Sequence, residues 1–190
     1  MEQKRHHRKT VETKHISLRV PIDAVTALES DSERLGISVN SLASNILRRW
    51  ARWDRHMQSL GMILVSKELL SMMIRDNDVK DIARFVDCAL PIFQDAVMLV
   101  KGKYHLKSSI ETLEDYMQSM GIPSSHAIEG DMHYLIIHHK MGVNWSIFIK
   151  MLLGNVFAKF VPDKNVEYEI NENLISVRAP LGSDWNEHDY

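Results

Sequence analysis

The chain has 190 residues, 45% hydrophobic and 25% charged, with 8 Gly and 5 Pro; this ordinary globular usage excludes collagen-like, low-complexity and wholly disordered classes. The length suits one large domain, or a small module followed by a second domain. The formal net charge is −2, which taken alone argues against a polyanionic partner.

The single Cys88 cannot form an internal disulfide, so the reducing cytoplasm is the expected compartment. The opening MEQKRHHRKT has no apolar run after its basic cluster, so neither a signal peptide nor a membrane anchor is expected there. No stretch approaches the ~18 apolar residues of a membrane-spanning helix, and no membrane partner is expected. The charge is unevenly spread. Residues 1–56 hold 11 Lys/Arg against 7 Asp/Glu, a net of +4, whereas residues 57–190 hold 12 against 18, a net of −6. A basic head on an acidic body suggests an electrostatic task for the head.

Residues 1–13 are polar, basic and aperiodic, and read as a flexible arm. From Lys14 to Pro21, Ile16, Leu18 and Val20 alternate with His15, Ser17 and Arg19. That period of two predicts a strand with one apolar face and one polar, basic face. Pro21 ends it, having no N–H for a ladder and suiting a first helical turn. Ile22, Val25, Leu28 and Leu35 then share a helical face, with Gly36 as the expected C-terminal stop. Ser38 suits the N-cap of a second helix, in which Leu42, Ile46, Trp50 and Trp53 recur at helical spacing. This helix is expected to run on to Gly61.

A lone strand has no partner for its backbone groups, and so short a module buries too little surface to be stable alone. Two copies solve both difficulties. Antiparallel pairing of two strands seals the apolar faces over a four-helix core and leaves a two-stranded ribbon, a shape that fits the DNA major groove. A solvated edge strand is the plainer reading of the same pattern.

The run HISLRVP, then ERLG closing the first helix and SVNSLASNIL opening the second, closely resembles the ribbon-helix-helix family of Arc- and MetJ-type repressors. The match covers residues 14–54. The resemblance implies that His15, Ser17 and Arg19 read base edges, Arg19 by a bidentate contact to guanine. It implies that Ser38, Val39, Asn40 and Ser41 clamp a backbone phosphate at the start of the second helix. Lys4, Arg5, Arg8, Lys9 and Lys14 would add salt-sensitive phosphate attraction. Residues 14–56 are thus expected to form a dimeric ribbon-helix-helix domain that binds double-stranded DNA.

Residues 57–180 read as an α+β body and 181–190 as a tail. MILVS (62–66) is a strand candidate; Lys67–Arg75 and Asp78–Ala89 read as helices, the second broken by Pro91. DAVMLVKGK (95–103) reads as a buried strand. A helix follows, N-capped by Ser108 or Ser109 and closed by Gly121. Two short strands flank Gly130, an apolar helix spans NWSIFIKMLLGNVFAKFV, and a hairpin turns at Asn171–Asn173. The element order suggests a ferredoxin-like α/β sandwich. A ribbon-helix-helix head on such a body is similar in architecture to the nickel-responsive repressors, but their His and Cys ligand pattern has no match here.

His126, His133, His138 and His139 lie close in sequence; His133, His138 and His139 are the metal candidates, with Cys88 or His105 as further ligands, and His133 and His139 are expected on one strand face with His138 on the other. Their spacing is poorly specific, and packed or hydrogen-bonded histidines explain it as well. Cys88 reads as a buried, inert thiol. The 11 Met either fill the core or line an adaptable pocket. No phosphate-binding Gly loop, Ser/His/Asp constellation or paired acidic motif occurs, so no catalytic role and no cofactor are expected. The expected protein is a nucleoid-associated cytoplasmic regulator, a homodimer or dimer of dimers acting as a repressor, whose body oligomerises or senses an effector. Two alternatives are an antitoxin-like or scaffold protein whose body binds a partner protein, and a metal- or small-molecule-responsive regulator.

Overall fold

The computed structural model describes residues 12–182. The chain divides between Asn45 and Ile46 into a head and a body. The described residues hold six α-helices and one four-stranded antiparallel sheet, a mixed α+β protein.

In the head, α1 spans Ile22–Leu35 and ends as predicted at Gly36, whose φ of +66° lets the Gly36 and Ile37 N–H groups bond back to Glu33 and Ser32. Helix α2, Val39–Arg52, begins in the head. Residues 14–20 form no strand within the chain, contrary to the sequence reading. The sheet lies wholly within the body, so these backbone groups have no ladder to join inside one chain.

The body begins within α2, earlier than the predicted boundary after residue 56. The helix stops at Arg52 rather than Gly61, and a short 3-10 turn, Asp54–His56, follows. Burial of Trp53 explains the break. It is 2% exposed, with its ring 5.3 Å from that of Tyr116, whereas Trp50 one turn earlier is 55% exposed. Residues 62–66 form no strand.

Helix α3 is Lys67–Arg75, capped by Ser66, whose side chain accepts from the Leu69 N–H. Helix α4 runs unbroken from Val79 to Lys101 with Pro91 inside it, which overturns both the predicted break and the predicted strand at 95–103. Proline removes one helical hydrogen bond, freeing the carbonyl four residues earlier. Here that residue, Asp87, lies with Pro91 on the exposed side, where water can take the bond. Ile82 and Val86 before it and Ala96 and Val97 after it are all buried, and this packing holds the helix through the proline.

Helix α5, Leu106–Ser119, is capped by His105, whose ring accepts from the Ser108 N–H, rather than by Ser108 or Ser109. Those serines lie in the buried first turn, with Ser109 Oγ donating to the His105 carbonyl. Strands β1 (Ser124–Glu129) and β2 (Met132–Ile137) flank Gly130, α6 is Val143–Phe160, and β3 (Glu167–Ile170) and β4 (Ile175–Pro180) form the second hairpin. The sheet order is β1-β2-β4-β3. With α4 standing where a first strand was expected, the ferredoxin-like order is not formed.

Leu135 pairs with Val177 and Ile137 with Ile175 across the sheet centre. These side chains are buried with Leu113, Ile149, Leu153 and Phe157 of α5 and α6 in the main core. The alternation of the strands puts one face there. Leu181, expected in a tail, is also buried in this core. Among the described residues, no helix is long and apolar enough to cross a membrane.

Candidate nucleic-acid interface

The head presents the polar residues singled out in the sequence. Lys14, His15, Ser17 and Arg19 are all exposed, and neither Lys14 nor Arg19 forms an ion pair among the described residues. Between them stand Ile16, Leu18 and Val20, exposed by 58, 64 and 44%. Lys4, Arg5, Arg8 and Lys9 lie outside the described residues.

Ser38 caps α2 as its residue type predicts. Its Oγ accepts from the Ser41 N–H at 3.1 Å and shares a 2.8 Å hydrogen bond with Ser41 Oγ. Asn40 and Ser41 are exposed and Val39 is half-buried. The first-turn N–H groups have no partner one turn back in the helix, and with the helix dipole they favour an anion there.

The histidines of the body are engaged with one another and with the backbone. His126 meets His133 at 3.0 Å, and His133 meets the Gly182 carbonyl at 3.2 Å. A carbonyl only accepts, so His133 carries its proton on Nε2. Its Nδ1 therefore accepts from His126 Nε2. On the other side of His126, Glu114 Oε1 lies 3.6 Å from Nδ1. Burial and then the neighbouring His133 push the His126 pKa down to about 4. Burial, reinforced by Glu111 and Asp115, raises that of Glu114.

His139 is completely buried at the end of the β2 segment. Its Nδ1 accepts from the Met141 N–H at 3.0 Å, which leaves Nε2 to donate to Ser146 Oγ at 2.7 Å; that hydroxyl in turn donates to the Asn171 carbonyl at 2.7 Å. Burial, then Lys67 and His138, hold its pKa near 4.

His133 and His139 thus spend both ring nitrogens on protein groups, while His138 is exposed. β2 ends at Ile137, before His139, yet the alternation continues, so that His133 and His139 are both buried and His138 is exposed, as expected. No group of three His, Cys, Asp or Glu residues arranged to hold a metal occurs among the described residues. Cys88 is exposed, contrary to expectation, because the α4 face that carries it points away from the core.

One polar feature escaped the sequence reading. Asp115, 7% exposed, binds Lys101 Nζ at 2.8 Å and lies 3.7 Å from Arg52. These residues are far apart in sequence and share no motif, so only the packing of α4 against α5 brings Lys101 to Asp115. No model of a known protein family and no curated protein matches the chain.

Proposed function

We propose that this protein is a sequence-specific DNA-binding regulator that acts as a homodimer. Two heads pair through residues 14–20 into a ribbon-helix-helix unit. Its ribbon presents His15, Ser17 and Arg19 to the major groove, and Ser38, Val39, Asn40 and Ser41 clamp the flanking phosphate. The observation that carries this reading is the uncovered apolar side of the head. Ile16, Leu18, Leu35 and Ile37 are exposed by 58, 64, 51 and 39%. Ile16 and Leu18 in the segment with strand periodicity, and Leu35 and Ile37 at the close of α1, fit burial against a second copy.

The two-fold axis of such a dimer makes the operator a repeat or palindrome. The acidic body is repelled by DNA and left to oligomerise or bind an effector. Repression, in the nucleoid of a cytoplasm, is the regulatory role that fits best. In vitro selection from a random DNA pool tests the proposal, with Arg19→Ala expected to weaken binding to the selected site by about 1–3 kcal/mol without changing the dimer. Unchanged affinity in that variant rejects the ribbon reading.

A partner-protein role for the body is favoured by a separate observation. Leu69, Met72 and Met73 of α3 are exposed by 50, 63 and 66% at helical spacing. Co-purification of a stable protein partner through this face, with no selected DNA site, supports that reading instead.

A further inference from the structure

The body contains an apolar cleft in two joined chambers. One, of about 200 Å³, lies between α4, α5 and α6; the other, of about 310 Å³, lies beneath the chain that leads from Trp53 to Val65. Trp53, Met62, Ile92 and Tyr116 line both. No Asp, Glu, Lys, Arg or His lines either chamber.

Packed interiors leave few voids larger than a water molecule, and apolar surface left in an open cleft gains free energy when an apolar ligand covers it. Together the chambers reach the scale of pockets that enclose drug-sized molecules, about 300–1,000 Å³. The walls are aromatic, with Phe93 and Trp145 added to Trp53 and Tyr116 in the first chamber. Trp145 also keeps its indole N–H buried with no acceptor among the described residues, and a buried donor without a partner costs stability. Met62 at the joint, with Met117 in the first chamber and Met57 and Met120 in the second, gives walls that adapt to shape.

We infer that this cleft binds an uncharged, predominantly apolar small molecule with planar ring character and a hydrogen-bond acceptor. The absence of any charged lining residue selects against carboxylates, phosphates and amines, because an unpaired charge placed there would lose its hydration without compensation. The aromatic walls favour rings, which stack with offset faces or edges. Trp53 directly follows α2 and belongs to the body, as do all the other lining residues. The site itself is independent of the DNA-binding reading, since it is measured on the free protein.

The test is titration of the full chain with N-phenyl-1-naphthylamine, a neutral fluorescent aromatic, read by probe emission and by energy transfer from tryptophan. Saturable binding of one probe per chain is expected. Ala89→Phe, which fills the first chamber, should abolish it with the circular dichroism spectrum unchanged. Ile92→Asp replaces a residue that is 53% exposed and so tolerated; a charge at the joint should weaken binding by about tenfold or more. Leu64→Ser alters an apolar residue 87% exposed and outside the lining, and should leave binding unchanged. Non-saturating binding overturns the inference. So does wild-type affinity in Ile92→Asp, or equal weakening by Leu64→Ser, which would mark mere adsorption to exposed apolar surface. Absence of probe binding to the full chain overturns it as well.

Discussion

The imidazole of His139 donates from Nε2 to the hydroxyl of Ser146 at 2.7 Å, and the Met141 N–H at its Nδ1 fixes that direction. Because the Ser146 hydroxyl passes its own proton to the Asn171 carbonyl, one unbroken chain ties the end of β2 to the start of α6 and the β3–β4 turn. The same hydroxyl also lies 3.2 Å from the Leu174 carbonyl, a second acceptor in the β3–β4 turn. A chain of this kind stabilises only while complete, because in a buried setting each orphaned group bears its full desolvation penalty.

Ser146→Ala should therefore destabilise the body by about 1–3 kcal/mol, since it strands the His139 N–H with both residues fully buried. The shift of the urea midpoint measures it. A midpoint equal to that of the parent chain means the chain of hydrogen bonds carries no net stability.

Stability should fall as the solution is acidified from about pH 6.5 toward pH 4. His126 and His139 take up protons at about 4 in the folded protein instead of the ordinary 6.5. Between these values the unfolded chain binds more protons, so acid favours unfolding; above 6.5 both states are neutral at these groups and the dependence vanishes. Urea denaturation at pH 7.5, 6 and 4.5 checks the slope. His139→Gln should flatten it, and a slope of the opposite sign would contradict burial of these rings in neutral form.

Trp53→Ala should cost about 3–5 kcal/mol, because a nearly fully buried indole leaves a cavity against Tyr116. Trp50→Ala, at a site 55% exposed, should cost far less. Thermal melts of the two variants separate them, and similar losses would show that Trp50 is covered in the assembled protein.

Leu18→Asp should prevent dimerisation of the head while leaving the body folded, since Leu18 is 64% exposed in the single chain and needs a partner to be covered. Analytical ultracentrifugation and the body's near-ultraviolet signal report the two effects. If the variant remains as dimeric as the parent and binds selected DNA equally well, the head does not pair through this segment.

Local chemistry was legible in the sequence wherever one residue imposes one geometry. Helix α3 forms over the residues its period marks, Gly36 supplies the left-handed turn that ends α1, Ser38 caps α2, and both hairpins turn where Gly130 and Asn171–Asn173 allow. The errors cluster where a local preference opposes packing. Pro91 disfavours a helix, yet two buried residues on each side of it keep α4 continuous. The apolar run 95–101 suits strand or helix equally, and burial of Ala96 and Val97 on one helical face decides it.

The histidines show the same division. Their number and residue type made metal binding conceivable, but partner identity depends on which nitrogen meets which atom across turns and strands. Pairing of His126 with His133 follows from the β1–β2 register, in which Ile128 stands opposite His133 and His126 opposite Leu135.

By itself the sequence determined the basic head and acidic body, the caps and turns, and the periodic faces that need covering, because each depends on residues a few positions apart. Only the tertiary structure decided that α4 passes through Pro91, that Lys101 meets Asp115, and that Trp53 and Tyr116 enclose an uncharged cleft with Ile92. These depend on free energy gained between segments distant in the chain, which outweighs local preference and leaves no periodic trace.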